Sequence, residues 1–341
     1  MKYNSGVNIS DGGWLNLHRN ENLFIDQKFL NSLIIEVVKA TNINEYPDSD
    51  ALKLKSKLSE LHKVTTDNIF IGNGADEVLE SLFFLFRKEC DEVNIPRISF
   101  KMYESLAAKY DYKVNYLNNL PPINPVINWD EISKNKGLFF IDSPCSLTGL
   151  ALDKKIFSNL LAKHDNFIIY DNVYGDYCDP VPTGVKENLI VLRHFAKFYG
   201  LSSLRIGYCI GPKEIIEKLN FYKQPFNVNS IAQGAAVACL DKHDYFAGLL
   251  PEVIDCKTIF QKQLKDLNFL FSNGLANFML VRHKNISSEY IFQKLMDKKI
   301  AVRNYTRDSI LKEYLRFAIP PRKEINRVIL ALKEIIKNKN K

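Results

Sequence analysis

No apolar stretch in this 341-residue sequence approaches the roughly 18 residues that a membrane span needs, so a spanning helix is excluded. The opening Met1-Lys2-Tyr3-Asn4 starts no apolar signal region, and secretion is not expected. The six cysteines (Cys90, Cys145, Cys178, Cys209, Cys239 and Cys256) are scattered and form no C-x-x-C. They do not pair with histidines at zinc-ligand spacing, so neither a metal centre nor a disulfide framework is expected. Cys209 and Cys239 stand among apolar residues and read as reduced core thiols, as in a cytoplasm. Internal repeats, low-complexity runs and tandem linkers are also missing. The formal net charge is +7, but seven Lys or Arg and only two Glu fall in residues 322–341, so most of the surplus is local. Ile325, Val328, Ile329, Leu332 and Ile336 recur there at helical spacing, which predicts a docked amphipathic helix with a solvated basic face. A nucleic-acid role would need aromatic interleaving or a known motif, and neither occurs.

What remains is ordinary globular material, 46% hydrophobic and 25% charged, enough for a large core and for two domains or one with a smaller lobe. Residues 14–24 precede any long periodic pattern and read as an arm. Helices are expected over 28–40, where Phe29, Leu30, Leu33, Ile34 and Val37 form one stripe, and over Leu52 to Leu61. Short apolar runs then alternate with helical patterns from about residue 65 to 235, which implies a mainly parallel sheet with helices on both faces. Residues 240–272 read as one long helical region. Residues 277–281, 301–303 and 314–319 read as strands of a small α+β lobe.

Three apolar runs end in residues that carry chemistry. Ile69-Phe70-Ile71 leads into Gly72-Asn73-Gly74-Ala75-Asp76-Glu77 and a helical pattern. Glycines there let the backbone approach an anion, and first-turn N–H groups at a positive dipole end would bind it. A dinucleotide fingerprint fails, because Glu77 stands at the third glycine position. Asn166 to Tyr170 runs into Asp171, at the strand end where open α/β sheets place ligand groups. Leu189 to Leu192 leads to Lys197, with Arg205 eight residues on. Burial would lower the pKa of such an amine and make it a nucleophile toward a carbonyl.

These segments resemble the fold-type-I pyridoxal-phosphate aminotransferases, in the histidinol-phosphate aminotransferase branch. His194-Phe-Ala-Lys197-Phe-Tyr-Gly-Leu-Ser-Ser-Leu-Arg205 is similar to the lysine segment of that family, Gly72 to Glu77 to its G-N-G-S/A-D-E, and Asp171-Asn-Val-Tyr174 to its D-E-A/V-Y. The resemblance implies an aspartate-aminotransferase-like fold, a bound pyridoxal 5'-phosphate and an amino transfer. It implies that Lys197 holds the cofactor as an imine and moves protons, that Asp171 pairs with the pyridinium nitrogen and that Phe100 stacks on the ring. Tyr174 and Ser146 would bond the phenolic oxygen, Ser146 standing where the family has asparagine. Gly74, Ala75, Asp76 and Arg205 would hold the phosphate, with His194 in a position the family gives to threonine, Ala196 in one it gives to serine, and Tyr46 reaching in from a partner subunit.

Arg316 would bind a substrate carboxylate and Arg303 a distal anion. Asn22 and Phe24 would line the substrate from the arm, Phe24 replacing a tyrosine. A homodimer follows from Tyr46. The divisions implied are 1–40 as arm and part of the small lobe, 41–235 as the large cofactor-binding domain and 236–341 as the small C-terminal domain. The leading activity is transfer between histidinol phosphate, or a related amino acid or amine, and 2-oxoglutarate. A decarboxylase of a phosphorylated amino acid stays open as the alternative. A non-catalytic sensor is less favoured, since Lys197 is present and no DNA-binding segment is appended.

Overall fold

A computed structural model describes residues 12–123, 125, 132, 134–163, 165–178, 184–306 and 308–339. The large sheet comprises β2 (Ile69–Gly72), β3 (Glu92–Pro96), β4 (Lys113–Leu117), β5 (Gly137–Asp142), β6 (Asn166–Asp171), β7 (Leu189–His194) and β8 (Gly207–Ile210), in the spatial order β2-β8-β7-β6-β5-β3-β4. The pairs from β7 through to β4 are parallel, and β8 runs against both β7 and β2. The expected mainly parallel α/β sheet is therefore present, with one reversed strand.

Strands buried on both faces lack a polar side, so they read as continuous apolar runs. In β5, Leu138 and Phe140 enter one core with Leu79, Phe83 and Tyr103, while Phe139 and Ile141 enter another with Phe157 and Leu160. β7 divides the same way, Ile190 and Leu192 against Leu189 and Val191. The helices that cover these faces include α3 (Gly74–Phe86), α4 (Met102–Lys109) and α5 (Lys154–Leu161). Asp153 caps α5 by accepting from the Lys155 and Ile156 N–H groups.

A third core joins α1 (Gln27–Lys39), α2 (Leu52–His62) and α7 (Ser230–Asp241) to β2, β8 and the Lys197 segment, through Leu30, Leu54, Ile71, Phe195, Phe198, Ala232 and Ala236. Between β8 and α7 lies α6 (Lys213–Tyr222).

A second sheet, in the order β1-β11-β12-β10-β9, is built from β1 (Leu15–Leu17), β9 (Phe269–Phe271), β10 (Phe278–His283), β11 (Ile300–Asn304) and β12 (Leu315–Ala318). Its core includes Leu17, Phe260, Met279, Phe317, Val328 and Leu332. The helices here are α9 (Leu250–Asp266), α10 (Ser288–Asp297) and α11 (Arg322–Lys339), the last being the expected amphipathic helix. The helical region expected over 240–272 is in fact broken. A short α8 (His243–Ala247) ends at Gly248, α9 restarts with Pro251 in its first turn, and 269–271 is strand. A first-turn proline lacks an N–H that would be unpaired there anyway, so it marks a helix start. Among the described residues no helix is long and apolar enough to cross a membrane.

The close approach of β8 to the start of α3 demands glycine. A Cβ on Gly207 would lie 2.5 Å from the Ala75 nitrogen and 2.7 Å from the Gly74 carbonyl carbon, both backbone atoms. Gly207→Ala is expected to lower stability by about 1–3 kcal/mol in urea unfolding of the cofactor-free protein. An unchanged midpoint and slope would contradict this packing.

Candidate active site

β5, β6 and β7 run parallel and end at the same edge of the large sheet. In register, Asp142 lies beside Asp171, and His194 at the end of β7 lies beside Gly207, which also faces Gly72. Ligand sites in open α/β sheets form outside such carboxyl ends.

Asp171 is buried there. Its Oδ2 accepts from the Tyr103 hydroxyl at 2.7 Å and its Oδ1 from the Val173 N–H at 3.3 Å. Burial pushes its pKa up to about 7, against the Tyr103 bond, which lowers it, and with the neighbouring Asp142, which raises it. Such a carboxyl gains from an adjacent cation, since a positive ring nitrogen would restore its ionised form. Phe100 meets Tyr103 edge to face at 5.8 Å. Tyr174 is buried, and its hydroxyl accepts from Asn20 Nδ2 at 2.9 Å. Ser146 is buried too, and its Oγ makes no hydrogen bond within the protein.

Lys197 lies in the bend between β7 and β8, half-buried and flanked by the core residues Ala196 and Phe198. Its Nζ donates to the Arg19 carbonyl at 2.8 Å. Burial, then the charges of Arg316 and Arg205, lower its pKa to about 8, with Glu21 and Asp76 opposing. The bend is pinned by Tyr177, whose hydroxyl donates to the Lys197 carbonyl at 3.1 Å, and by Asn22 Nδ2 on the Phe198 carbonyl at 2.8 Å. A second lysine, Lys257, is also lowered to about 8 by burial. Its Nζ is committed to the carbonyls of Gly274 and Ala276 in the smaller lobe, so it serves as a loop clamp.

The glycine turn faces Arg205. Gly74 has φ +81°, which favours glycine, and a Cβ on it would sit 2.7 Å from Arg205 Nη2, so the turn lies directly against the guanidinium. Arg205 itself has φ +51°, and Nη2 donates to Asp76 Oδ2 at 2.7 Å. No Asn73 side chain caps α3, whose first turn holds Ala75 and Asp76. His194 stands at the end of β7 with Nε2 buried and without a hydrogen-bond partner. Burial, Lys197 and Arg205 hold its pKa well below the usual histidine range, so it is neutral at pH 7. An uncharged His194 can contribute one hydrogen bond to an anion but no charge.

On the other side, Arg316 donates from Nη1 to the Ser146 carbonyl at 2.6 Å and from Nη2 to the His18 carbonyl at 3.2 Å, with its guanidinium 5.1 Å from the Phe278 ring. Arg303 is opposite Arg316 in the β11–β12 register. Phe24 packs against both the core that joins α1, α2 and α7 to β2 and β8 and the core of the second sheet.

Contacts gather the residues singled out from the sequence into groups: Gly74 and Asp76 with Arg205, Phe100 with Asp171 through Tyr103, and Ser146 and Arg303 with Arg316, while the charges of Arg316, Arg205 and Asp76 act on Lys197. Two stand differently. Asn22 spends both amide groups on the protein, its Oδ1 accepting from the Phe24 N–H at 3.1 Å. Tyr46 is 82% exposed and stacks on Phe226 at 4.6 Å. The sequence reading missed Tyr103, Asn20 and Asp142. Tyr103 stands three residues after Phe100, and Asn20 two residues before Asn22. Asp142 follows an apolar run just as Asp171 does. The donor set fits a phosphorylated aldehyde with a basic ring nitrogen: an amine of lowered pKa, a glycine turn with an arginine fork, a buried carboxyl and a free buried hydroxyl. Among the described residues no cluster of metal-ligating side chains occurs.

The sequence pattern of the family described as aminotransferase class I and II matches residues 13–332. A histidinol-phosphate aminotransferase of Brachyspira hyodysenteriae is 30% identical, over 98% of this chain and 96% of the relative. One of Hydrogenobaculum sp. is 32% identical, over 94% and 93%. The crystal structure of the histidinol-phosphate aminotransferase from Clostridium acetobutylicum superposes with a TM-score of 0.84 at 26% identity, covering 94% of this chain and 99% of that one. An L-threonine-O-3-phosphate decarboxylase from Porphyromonas gingivalis shares the fold, with a TM-score of 0.81 at 21% identity, covering 93% and 99%.

Raising a carboxyl from 3.8 to about 7 makes the folded chain bind a proton that the unfolded chain has released. Stability attributable to Asp171 therefore falls as pH rises between about 4 and 7. In the cofactor-free protein, the melting temperature of Asp171→Asn relative to the unsubstituted chain is expected to climb across that window and level off above it. A difference that is flat with pH would contradict the buried, raised carboxyl.

Proposed function

The chain belongs to the aminotransferase class I and II family, and on that premise we propose that it moves an amino group between histidinol phosphate, or a related amino acid or amine, and 2-oxoglutarate. The observation that carries the reading is Lys197, a half-buried amine of lowered pKa just past the end of β7, acted on by Arg205 and Asp76 at the glycine turn. Pyridoxal 5'-phosphate, attached at Lys197 Nζ, would supply an electron sink for a substrate carbanion. In this reading Asp171 keeps the ring nitrogen protonated and Phe100 covers the ring face. Tyr174 and Ser146 donate to the phenolic oxygen. The N–H groups of Ala75 and Asp76, with Arg205 and neutral His194, hold the phosphate. Lys197 Nζ would be the group that moves the proton between the substrate α-carbon and the cofactor carbon. Arg316 orients a carboxylate by its planar fork, Arg303 a distal anion, and Phe24 gives the substrate an apolar neighbour.

The two sheets support the division into an arm with part of the small lobe (1–40), a large cofactor-binding domain (41–235) and a small domain (236–341). The same reading includes a homodimer in the cytoplasm. Tyr46 and Phe226 stack in the open, and Ile43 and Phe221 are 71% and 81% exposed, apolar side chains of the kind that a second chain covers. Tyr46 would then reach the cofactor phosphate of the partner subunit.

Lys197→Ala is expected to abolish the visible absorbance of the bound cofactor together with turnover, and retained turnover would contradict the assignment. Incubation with candidate amines and 2-oxoglutarate should form glutamate. Carbon dioxide release without glutamate would favour the decarboxylase. Sedimentation at micromolar concentration should show a dimer, and monomer alone would remove the role given to Tyr46.

A further inference from the structure

Asp142 is a buried carboxyl, 5% exposed, with one oxygen engaged and one not. Its Oδ2 accepts from the Ser146 N–H at 2.7 Å, and its Oδ1 has no hydrogen-bond partner. It lines a small apolar cavity of about 80 Å³ with Ile98, Cys145, Leu150 and Leu152. A buried carboxyl with an unsatisfied oxygen in apolar surroundings costs stability. Burial accordingly lifts its pKa to about 6, with the Ser146 N–H and then the Ser146 hydroxyl pulling the other way. Groups that break local rules at a stability cost tend to serve function.

The carboxylate holds one side of Ser146, and Arg316 Nη1 holds the other by donating to the Ser146 carbonyl at 2.6 Å. The two peptide groups flanking the Ser146 Cα are thereby fixed from opposite sides. The surrounding turn is tied down as well. Ser143 N donates to the Asp171 carbonyl at 2.9 Å, and Asn172 Nδ2 to the Ser143 carbonyl at 2.7 Å. Along this turn the Ser146 Oγ and the Asp142 Oδ1 make no full hydrogen bond, and the Ser146 hydroxyl lies near enough to Asp142 to lower its pKa.

We propose that Asp142 is a positioning residue: by fixing the Ser146 N–H opposite Arg316, its carboxylate sets the aim of the Ser146 hydroxyl at the cofactor and the stance of Arg316 toward the substrate anion. The inference rests on the function proposed above and adds a coupling between the two sides of that site. Asp142 bonds the Ser146 N–H, and its charge also raises the pKa of the neighbouring Asp171. The coupling proposed here passes through the Ser146 peptide, and Asp142→Asn separates it from the charge.

The test compares Asp142→Asn, which keeps an oxygen to accept from Ser146 N–H, with Asp142→Leu, which removes it and extends into the apolar cavity. Three quantities are read: the midpoint of the pH titration of the bound cofactor's visible absorption, the dissociation constant of maleate as a non-reacting dicarboxylate, and melting of the cofactor-free chain. Asp142→Leu should move the titration midpoint by about one pH unit, a tenfold change in proton affinity, and weaken maleate about tenfold. Its cofactor-free melting temperature should be equal to or above that of the unsubstituted chain. Asp142→Asn should show less than half of both displacements.

Unmoved midpoint and maleate binding in Asp142→Leu would overturn the proposal. So would displacements as large in Asp142→Asn, which would make charge the cause. A Leu variant that has lost cooperative unfolding overturns it too, since the carboxylate is then structural. If the unsubstituted chain takes up no pyridoxal phosphate, the functional reading falls and this inference with it. If it does, and the variants are unmoved, this inference falls alone.

Discussion

Everything at the site depends on holding ionisable groups out of water at one edge of a sheet. Parallel strands buried on both faces give Lys197, Asp171 and Asp142 apolar surroundings behind them and a turn in front. Desolvation pushes the amine down to about 8 and the two acids up to about 7 and 6. All three shifts move toward the neutral forms, as burial requires. An amine that is partly neutral near pH 8 can attack a carbonyl, and an acid that prefers its proton until a cation arrives is a selective partner for a ring nitrogen. The fold supplies both with a single device.

The edge lies where the two sheets meet, and the contacts across that joint are the ones that complete the site. Arg316 on β12 reaches the Ser146 carbonyl of the large sheet's turn and the His18 carbonyl of the arm. Asn277 Nδ2 donates to the Asn20 carbonyl at 3.2 Å, and Asn20 in turn holds the Tyr174 hydroxyl. Leu275 N donates to the Gly149 carbonyl at 2.6 Å, in a loop clamped by Lys257. Phe278 stands edge to face with Tyr174 at 5.0 Å and under the Arg316 guanidinium. A shift of the smaller lobe would therefore move groups on both the cofactor side and the substrate side.

The sequence made much of this legible because the strongest local signals coincide with the strongest physical constraints. Gly74, Asp171 and Lys197 each follow an apolar run, and each lies at a strand end or just past one. What stayed hidden was set by long-range contact. β1 is a strand only because Leu15 to Leu17 pair with Ile300 to Val302, and nothing in three residues announces that. β9 follows a helix at once, with Asn268 at φ +60° making the turn. The partners of Arg316 are 170 and 298 residues away in the chain. Asp142 carried the same signal as Asp171, an acid after an apolar run, and the resemblance gave it no role. Asn22, expected to face a substrate, has its amide on the Phe198 carbonyl in the Lys197 bend.

Two lysines share a pKa lowered to about 8, so lowered basicity by itself does not single out the reactive one. Geometry does, because Lys257 is bound to two carbonyls while Lys197 is bound to one and is acted on by Arg205 and Asp76 at the glycine turn. Borohydride reduction of the protein loaded with pyridoxal phosphate, followed by peptide mass mapping, reads this difference directly. The account predicts one pyridoxyl label, on the peptide that carries Lys197. A label on Lys257, or one spread over surface lysines, would contradict it.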